Sequence, residues 1–214
     1  MQIRSLKNTS PERYTLTLED GTEIRTTLGV VTDLRLFEGK DLTEEDTELL
    51  REHSLRSLCL EKGIELLSRR MMSEKELKRK LTEKGADEAA AEYCALRLTD
   101  MGFLDDERYA AAVARHYSKK GYGAGRVRAE LGKRGIPRDL WDDALEEMVS
   151  ADGKLDAFLR SRLTDPSDRA QVQKVSAALY RRGYSWDQIR SALSRYSEEQ
   201  DGSEDELEII EEDP

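Results

Sequence analysis

Leu81-Thr82-Glu83-Lys84-Gly85, Leu131-Gly132-Lys133-Arg134-Gly135 and Leu179-Tyr180-Arg181-Arg182-Gly183 repeat one phrase: a leucine, three residues and a glycine, with basic side chains around them. The glycines stand 50 and then 48 residues apart, and an apolar residue precedes each leucine by four positions (Leu77, Val127, Val175). Residues four apart share one face of a helix. A near-constant interval of this length points to tandem supersecondary units. A repeated helical unit with a basic face makes an extended surface suited to a large partner.

Helix punctuation surrounds each copy. Ser73-Glu74-Lys75-Glu76 reads as a capping box that opens a helix through Leu77 and Leu81, and Gly85 closes it as a left-handed residue would. Asp105 is a good N-cap, with Asp106 and Glu107 favourable to the helix dipole and Leu104 and Tyr109 placed as a hydrophobic staple. Pro137 suits the first turn of another helix, Asp165-Pro166 opens the next, and Ser185-Trp186-Asp187-Gln188 is a second capping box. These signals predict nine helices, at about 55–70, 73–84, 87–101, 105–119, 124–134, 137–149, 152–163, 166–182 and 185–196. Grouped in threes they make units 55–102, 103–150 and 151–197. Each buries too little to stand comfortably alone, so neighbours should pack end to end into an elongated, curved array.

The first 54 residues follow a different rule. Tyr14, Leu16 and Leu18 alternate with polar residues, Asp20-Gly21 is a hairpin signal, and Ile24, Thr26 and Leu28 alternate again. With Ile3 to Leu6 as a further strand, this is a small antiparallel β unit that needs a packing partner. Val31 to Phe37 reads as a short helix, and Thr43 as an N-cap followed by acids. The fold class is therefore mainly α: a β unit in 1–54, three three-helix repeats, and a tail at 198–214.

That tail holds ten acidic residues and no Lys or Arg; without it the chain carries 35 acidic and 35 basic residues, so the net charge of −10 belongs to the tail. Such a run of like charge is expected to be disordered, serving solubility or, more sharply, competing with an anionic partner for the basic face. Two cysteines without Cys-x-x-Cys spacing, no signal-like N-terminus and no long apolar run suggest a cytoplasmic protein that does not enter membranes.

Signals of catalysis and cofactor binding are sparse. There is no Gly-x-x-x-x-Gly-Lys loop, Gly-x-Ser-x-Gly elbow or His-Glu-x-x-His pair. His53 and His116 lack ligand-spaced partners, Cys59 and Cys94 read as core residues, and the acidic pair Asp142-Asp143 as solvated surface. Gly121-Tyr122-Gly123-Ala124-Gly125 precedes a helix with Arg126 and Arg128, but its spacing fits no phosphate loop, and it reads as a connector. The chain is thus expected to be no enzyme and to need no cofactor or metal.

The functional signal is basic: Arg69, Arg70, Lys75, Lys78, Arg79, Lys80, Lys119, Lys120, Arg126, Arg128, Lys133, Arg134, Arg181 and Arg182. Several occupy equivalent places before the repeat glycine, and serial packing would align them. Such a stripe can contact phosphates or an acidic protein groove.

These residues resemble a known family. Leu67-Ser68-Arg69-Arg70, Ser73-x-x-Glu76-Leu77-x-x-x-Leu81-x-x-Lys84-Gly85, Met101-Gly102-Phe103-Leu104-Asp105-Asp106-x-Arg108-Tyr109-Ala110 and Leu131-x-x-x-Gly135-Ile136 resemble the signature of the bacterial RecX regulatory proteins over about residues 55–195. Residues 1–54 resemble an N-terminal extension of some members. The resemblance implies three three-helix units that bind the RecA recombinase, lie in the groove of its filament on single-stranded DNA, and restrain ATP hydrolysis, strand exchange and co-protease action in recombination and the DNA-damage (SOS) response. It brings no fixed catalytic set, and the chain is expected to be a monomer. Two other readings stand beside it. One is a helix-turn-helix-like protein that binds DNA directly without RecA, against which the 6% aromatic content offers no evident stacking pattern. The other is a scaffold for a different partner.

Overall fold

The computed structural model describes residues 1–148 and 152–208. The chain divides into two compact units, Met1–Asp105 and Asp106–Pro214. The expected seam at 150–151 and the last six residues, 209–214, lie outside the described residues.

In the first unit, β1 (Ile3–Ser10), β2 (Arg13–Leu18) and β3 (Glu23–Thr27) form an antiparallel sheet in the order β1-β2-β3. The period-two pattern decides its buried face: Leu16, Leu18, Ile24 and Thr26 turn inward. Asp20 holds the β2–β3 turn by accepting from the Thr22 amide at 2.9 Å. Leu28 was expected to continue the strand; instead Thr27 caps a short helix, α1 (Leu28–Asp33), and Leu28 is exposed. The helix expected at 31–37 is this one, displaced towards the N-terminus by the Thr27 cap.

The sheet packs on α2 (Glu44–Arg69), which starts at a reciprocal Thr43–Asp46 capping box. This helix runs unbroken through position 54, where sequence suggested a division between β unit and first repeat. Its first half covers the sheet: Leu50 joins the core of Ile3, Leu16 and Leu18, and Ser54 donates to Thr26 Oγ1 at 2.8 Å. Its second half supplies Cys59 and Leu66 to a separate core with α3 (Glu74–Glu83) and α4 (Glu88–Asp100), built on Leu77, Leu81, Cys94 and Leu98. Both cysteines are buried there.

The second unit holds two further three-helix groups. The first comprises α5 (Asp106–Lys119), α6 (Ala124–Lys133) and α7 (Trp141–Glu146), the last preceded by a 3-10 turn at Arg138–Leu140 that follows Pro137. Its core contains Tyr109, Val113, Val127 and Leu131. The second comprises α8 (Asp152–Arg162), α9 (Arg169–Arg181) and α10 (Trp186–Glu208), around Leu155, Leu159, Val175, Leu179 and Ile189. Asp165-Pro166 does not open α9: Asp165 closes a turn on Ser167, and Asp168 caps the helix by accepting from Ala170 and Gln171. Ser185 and Gln188 form the expected reciprocal box. α10 continues past 196, aided by Glu199 accepting from Arg160 at 2.9 Å.

The repeated phrase is a helix-ending device. In each copy the leucine is buried, and the residue after the glycine donates back to its carbonyl: Ala86 to Leu81 (3.1 Å), Ile136 to Leu131 (3.2 Å) and Tyr184 to Leu179 (3.3 Å). The glycine itself donates three residues back and has a positive φ of 95°, 71° and 93° at positions 85, 135 and 183. This is the Schellman pattern. Gly102 after Leu98 and Gly121 after Tyr117 close α4 and α5 in the same way, at φ 72° and 77°.

The third copy does more. Gly123 donates to Arg182 O (3.0 Å) and Gly125 to Gly183 O (2.9 Å), so the glycine loop before α6 lies directly on the α9–α10 turn. A Cβ on Gly183 would come 2.1 Å from the Arg126 nitrogen, whereas one on Gly85 would meet nothing within 4 Å. Both substitutions carry left-handed strain of about 1–2 kcal/mol, but only Gly183→Ala adds a backbone collision. Gly85→Ala should lower the unfolding free energy by about 1 kcal/mol, and Gly183→Ala by at least twice that with faster proteolysis between the last two helical groups. Denaturant titration and limited proteolysis of the two variants check this.

Candidate functional site

The structure separates the basic residues into those already engaged and those open to a partner. On the first unit, Arg69 pairs with Glu65 at 2.6 Å, and Arg70 grips Glu76 with both terminal guanidinium nitrogens. The Arg70 hydrogen bond holds the Glu76 carboxyl below its ordinary range. Lys78 lies between Glu74 (2.7 Å) and Glu92 (2.8 Å), which raise its pKa, and Arg79 pairs with Glu83. Lys75 and Lys80, on the same α3, form no close ion pair among the described residues, although Lys80 adds to the positive field on Glu76.

On the second unit, Lys119, Lys120, Lys133 and Arg181 are exposed and without a carboxylate partner among the described residues. Arg128 reaches Asp142 only loosely, at 3.8 Å. Arg126 and Arg134 flank Glu130, one turn of α6 to either side, and close on its carboxylate. Glu130 is buried, and Arg134 also donates to the Glu130 carbonyl at 2.9 Å and to the Tyr117 hydroxyl at 3.4 Å. The hydrogen bond from Arg134 keeps the Glu130 carboxyl below the usual carboxylate range despite burial. Arg182 lies over the Phe158 ring, 4.6 Å from its centroid, and reaches the Gly121 carbonyl. Arg134 and Arg182 are therefore packing residues, not part of an open basic face. Sequence did not single out Glu130, although its i±4 spacing from two arginines was the available signal.

Helix ends explain why the cations recur. Lys84, Lys120, Arg134 and Arg182 each stand directly before a left-handed glycine, where helix carbonyls point outward and a positive charge is favoured. Lys84 belongs to this set and was absent from the sequence-derived one.

The glycine loop at 121–125 is neither phosphate cradle nor free connector. Two of its amides are satisfied by the α9–α10 turn, and the Gly121 carbonyl accepts from the buried Tyr184 hydroxyl at 3.1 Å. Beside this joint lies a groove of about 450 Å³ lined by Arg126 and Arg128 from α6, Tyr180 and Arg181 from α9, and Gln188 from α10. Tyr180 stacks on Trp186 with ring centroids 5.1 Å apart and an interplanar angle of 19°. Tyr180 and Trp186 are 54% and 52% exposed, a stacked pair that the low aromatic content did not reveal.

Family models of the first, second and third three-helix domains of RecX match residues 59–98, 105–145 and 159–193. A regulatory protein RecX of Stenotrophomonas maltophilia (strain R551-3) is 38% identical over 141 residues, covering 64% of this chain and 85% of the relative. One from Xanthomonas citri is 39% identical over 137 residues, covering 62% and 84%.

The chain belongs to the RecX family.

A crystal structure of a regulatory protein RecX matches with a TM-score of 0.68 at 25% identity, covering 88% of this chain and 97% of that one. RecX from Lactobacillus salivarius matches in fold, with a TM-score of 0.59 over 66% of this chain and 96% of that one. The three RecX domains coincide with the three helical groups, and membership carries a regulatory role. Among the described residues no group of His, Cys, Asp or Glu is placed to hold a metal, and no helix is long and apolar enough to cross a membrane.

Glu130 supplies a check on the α6 charge cluster. Glu130→Ala leaves Arg134 half-buried without its carboxylate and should lower stability at pH 7 by about 2 kcal/mol. Because the folded carboxyl titrates below its unfolded value of about 4.3, the contribution is present above that pH and fades as pH falls through the folded value. The difference between parent and variant in urea titrations should thus shrink from pH 7 to pH 3.

Proposed function

We propose that this RecX-family protein binds RecA and its filament on single-stranded DNA and restrains the recombinase, ATPase and co-protease activities, as a non-catalytic, cytoplasmic monomer. The observation supporting this reading is a RecX domain series whose helix ends present uncommitted cations: Lys75 and Lys80 on the first domain, Lys119, Lys120 and Lys133 on the second, and Arg181 on the third. Such charges favour an acidic groove on a partner and act mainly through orientation and encounter rate. The engaged cations Arg70, Arg134 and Arg182 hold the domains in shape instead.

Titration of the protein into a RecA–single-stranded DNA ATPase assay should give inhibition at stoichiometric amounts. Reversal of Lys119 and Lys120 to Glu should weaken it by about tenfold, equivalent to ~1.4 kcal/mol, with circular dichroism unchanged. Absence of inhibition by the parent protein would overturn the reading.

The Tyr180–Trp186 stack favours a second reading, in which the third domain touches single-stranded DNA itself. Exposed rings beside arginines provide a platform for bases, worth about 1–3 kcal/mol per stacked base. An oligo(dT) added to the protein alone should quench Trp186 fluorescence, less so at high salt and not at all in Trp186→Phe. Unchanged fluorescence would rule this contact out.

A further inference from the structure

Among the described residues β3 is paired on one side only, with β2. The ladder decides which of its backbone groups are left over. Leu18 donates to Thr22 O at 2.9 Å and Leu28 to Glu12 O at 2.8 Å, so Ile24 and Thr26 occupy the hydrogen-bonded positions opposite Leu16 and Tyr14. Glu23 and Arg25 alternate with them and direct both N–H and C=O away from the sheet.

A groove runs along that edge. One stretch of about 420 Å³ is lined by Glu23, Ile24 and Arg25 in succession. Successive strand side chains point to opposite faces, so a groove touching all three follows the edge and not a face. It shares Arg25, Leu55 and Leu58 with a larger cleft of about 640 Å³ between the sheet, α2 and the turn from α3 to α4. The floor is apolar, with Leu58 half-buried and Leu55 49% exposed. Arg13, Arg25, Lys62 and Lys84 line the larger cleft and no Asp or Glu does. Arg13 and Lys62 pair with nearby glutamates, Lys84 forms no ion pair among the described residues but lies near enough to Glu65 to help lower the pKa of its carboxyl, and Arg25 forms no ion pair among them.

We propose that β3 and this cation-lined cleft take an extended acidic segment of a partner protein, which adds as a fourth strand and seats apolar side chains on Leu55 and Leu58. The edge offers alternating donors and acceptors, which a peptide backbone matches. A phosphodiester chain only accepts hydrogen bonds along its backbone and would face the outward carbonyls of Glu23 and Arg25 unfavourably. The cations select acidic segments and repel basic ones, giving specificity by repulsion as well as attraction. About five residues of partner would span the strand at ~3.3 Å each. This surface belongs to the β unit and the start of the first domain, and it works independently of the RecA reading.

The test uses the full-length protein and a fluorescein-labelled ten-residue peptide alternating glutamate with valine. Its controls are a lysine–valine counterpart and an oligo(dT) of equal length. Fluorescence anisotropy should show binding of the acidic peptide and none of the lysine–valine peptide, with oligo(dT) failing to compete, and the binding should weaken at least tenfold in the Arg25→Glu/Lys84→Glu double variant and in Leu55→Glu, a change on an exposed helix position. Hydrogen exchange should slow at the Glu23 and Arg25 amides on peptide addition and stay unchanged at Ile24 and Thr26. Equal binding of both peptides, displacement of the acidic peptide by oligo(dT), or an unprotected Arg25 amide would overturn the proposal, whatever the outcome of the ATPase assay.

Discussion

Every helical group in this protein depends on a helix that stops on time. A leucine one turn from the end is buried in the core, and its carbonyl accepts from the residue beyond a left-handed glycine. The two requirements are linked. The buried leucine anchors the last turn to its neighbours, while the glycine reverses the chain without the steric penalty that a Cβ brings to a positive φ. Remove the reversal and the next helix cannot return to the same core. Closures at Gly85, Gly135 and Gly183 stand one in each of the three domains.

The same closures account for much of the basic pattern. A helix C-terminus exposes carbonyl oxygens and carries a partial negative charge, so Lys or Arg beside the glycine stabilises the end locally. Arg134 donates to a carbonyl of the last turn of α6, and Arg182 lies on Phe158. Such side chains are open to a partner only where they remain uncommitted, as at Lys119, Lys120 and Arg181. Repetition of charge is therefore weaker evidence of a binding face than its lack of partners.

Glycine serves a separate purpose where backbones meet. The segment at 121–125 and the Gly183 turn approach so closely that side chains are excluded, and hydrogen bonds to and from backbone groups join the second and third domains there. At the other end of the chain, α2 serves two cores at once, tying the β unit to the first domain through one continuous helix. Contacts that order neighbouring groups beforehand reduce the entropy lost when such a surface is used in binding.

Local signals read directly from the sequence proved reliable where one segment suffices. Capping serines and threonines, the leucine–glycine endings, the strand alternation through Leu16 and Leu18, and the family signature around Gly102 to Ala110 all depend on neighbours within a few positions. Residues far apart in sequence decided the rest. Whether Arg79 or Lys80 is neutralised depends on where Glu83 and other carboxylates project, and whether Gly121–Gly125 binds phosphate depends on a turn 60 residues away. Whether Trp186 is buried depends on α9 beside it. The amino-acid order by itself determined the helix-and-turn grammar and the family, because those are short-range matters of backbone conformation and pattern. Which charges, edges and rings stay open was decided by the tertiary structure alone, because availability is set by what packs against a group in space.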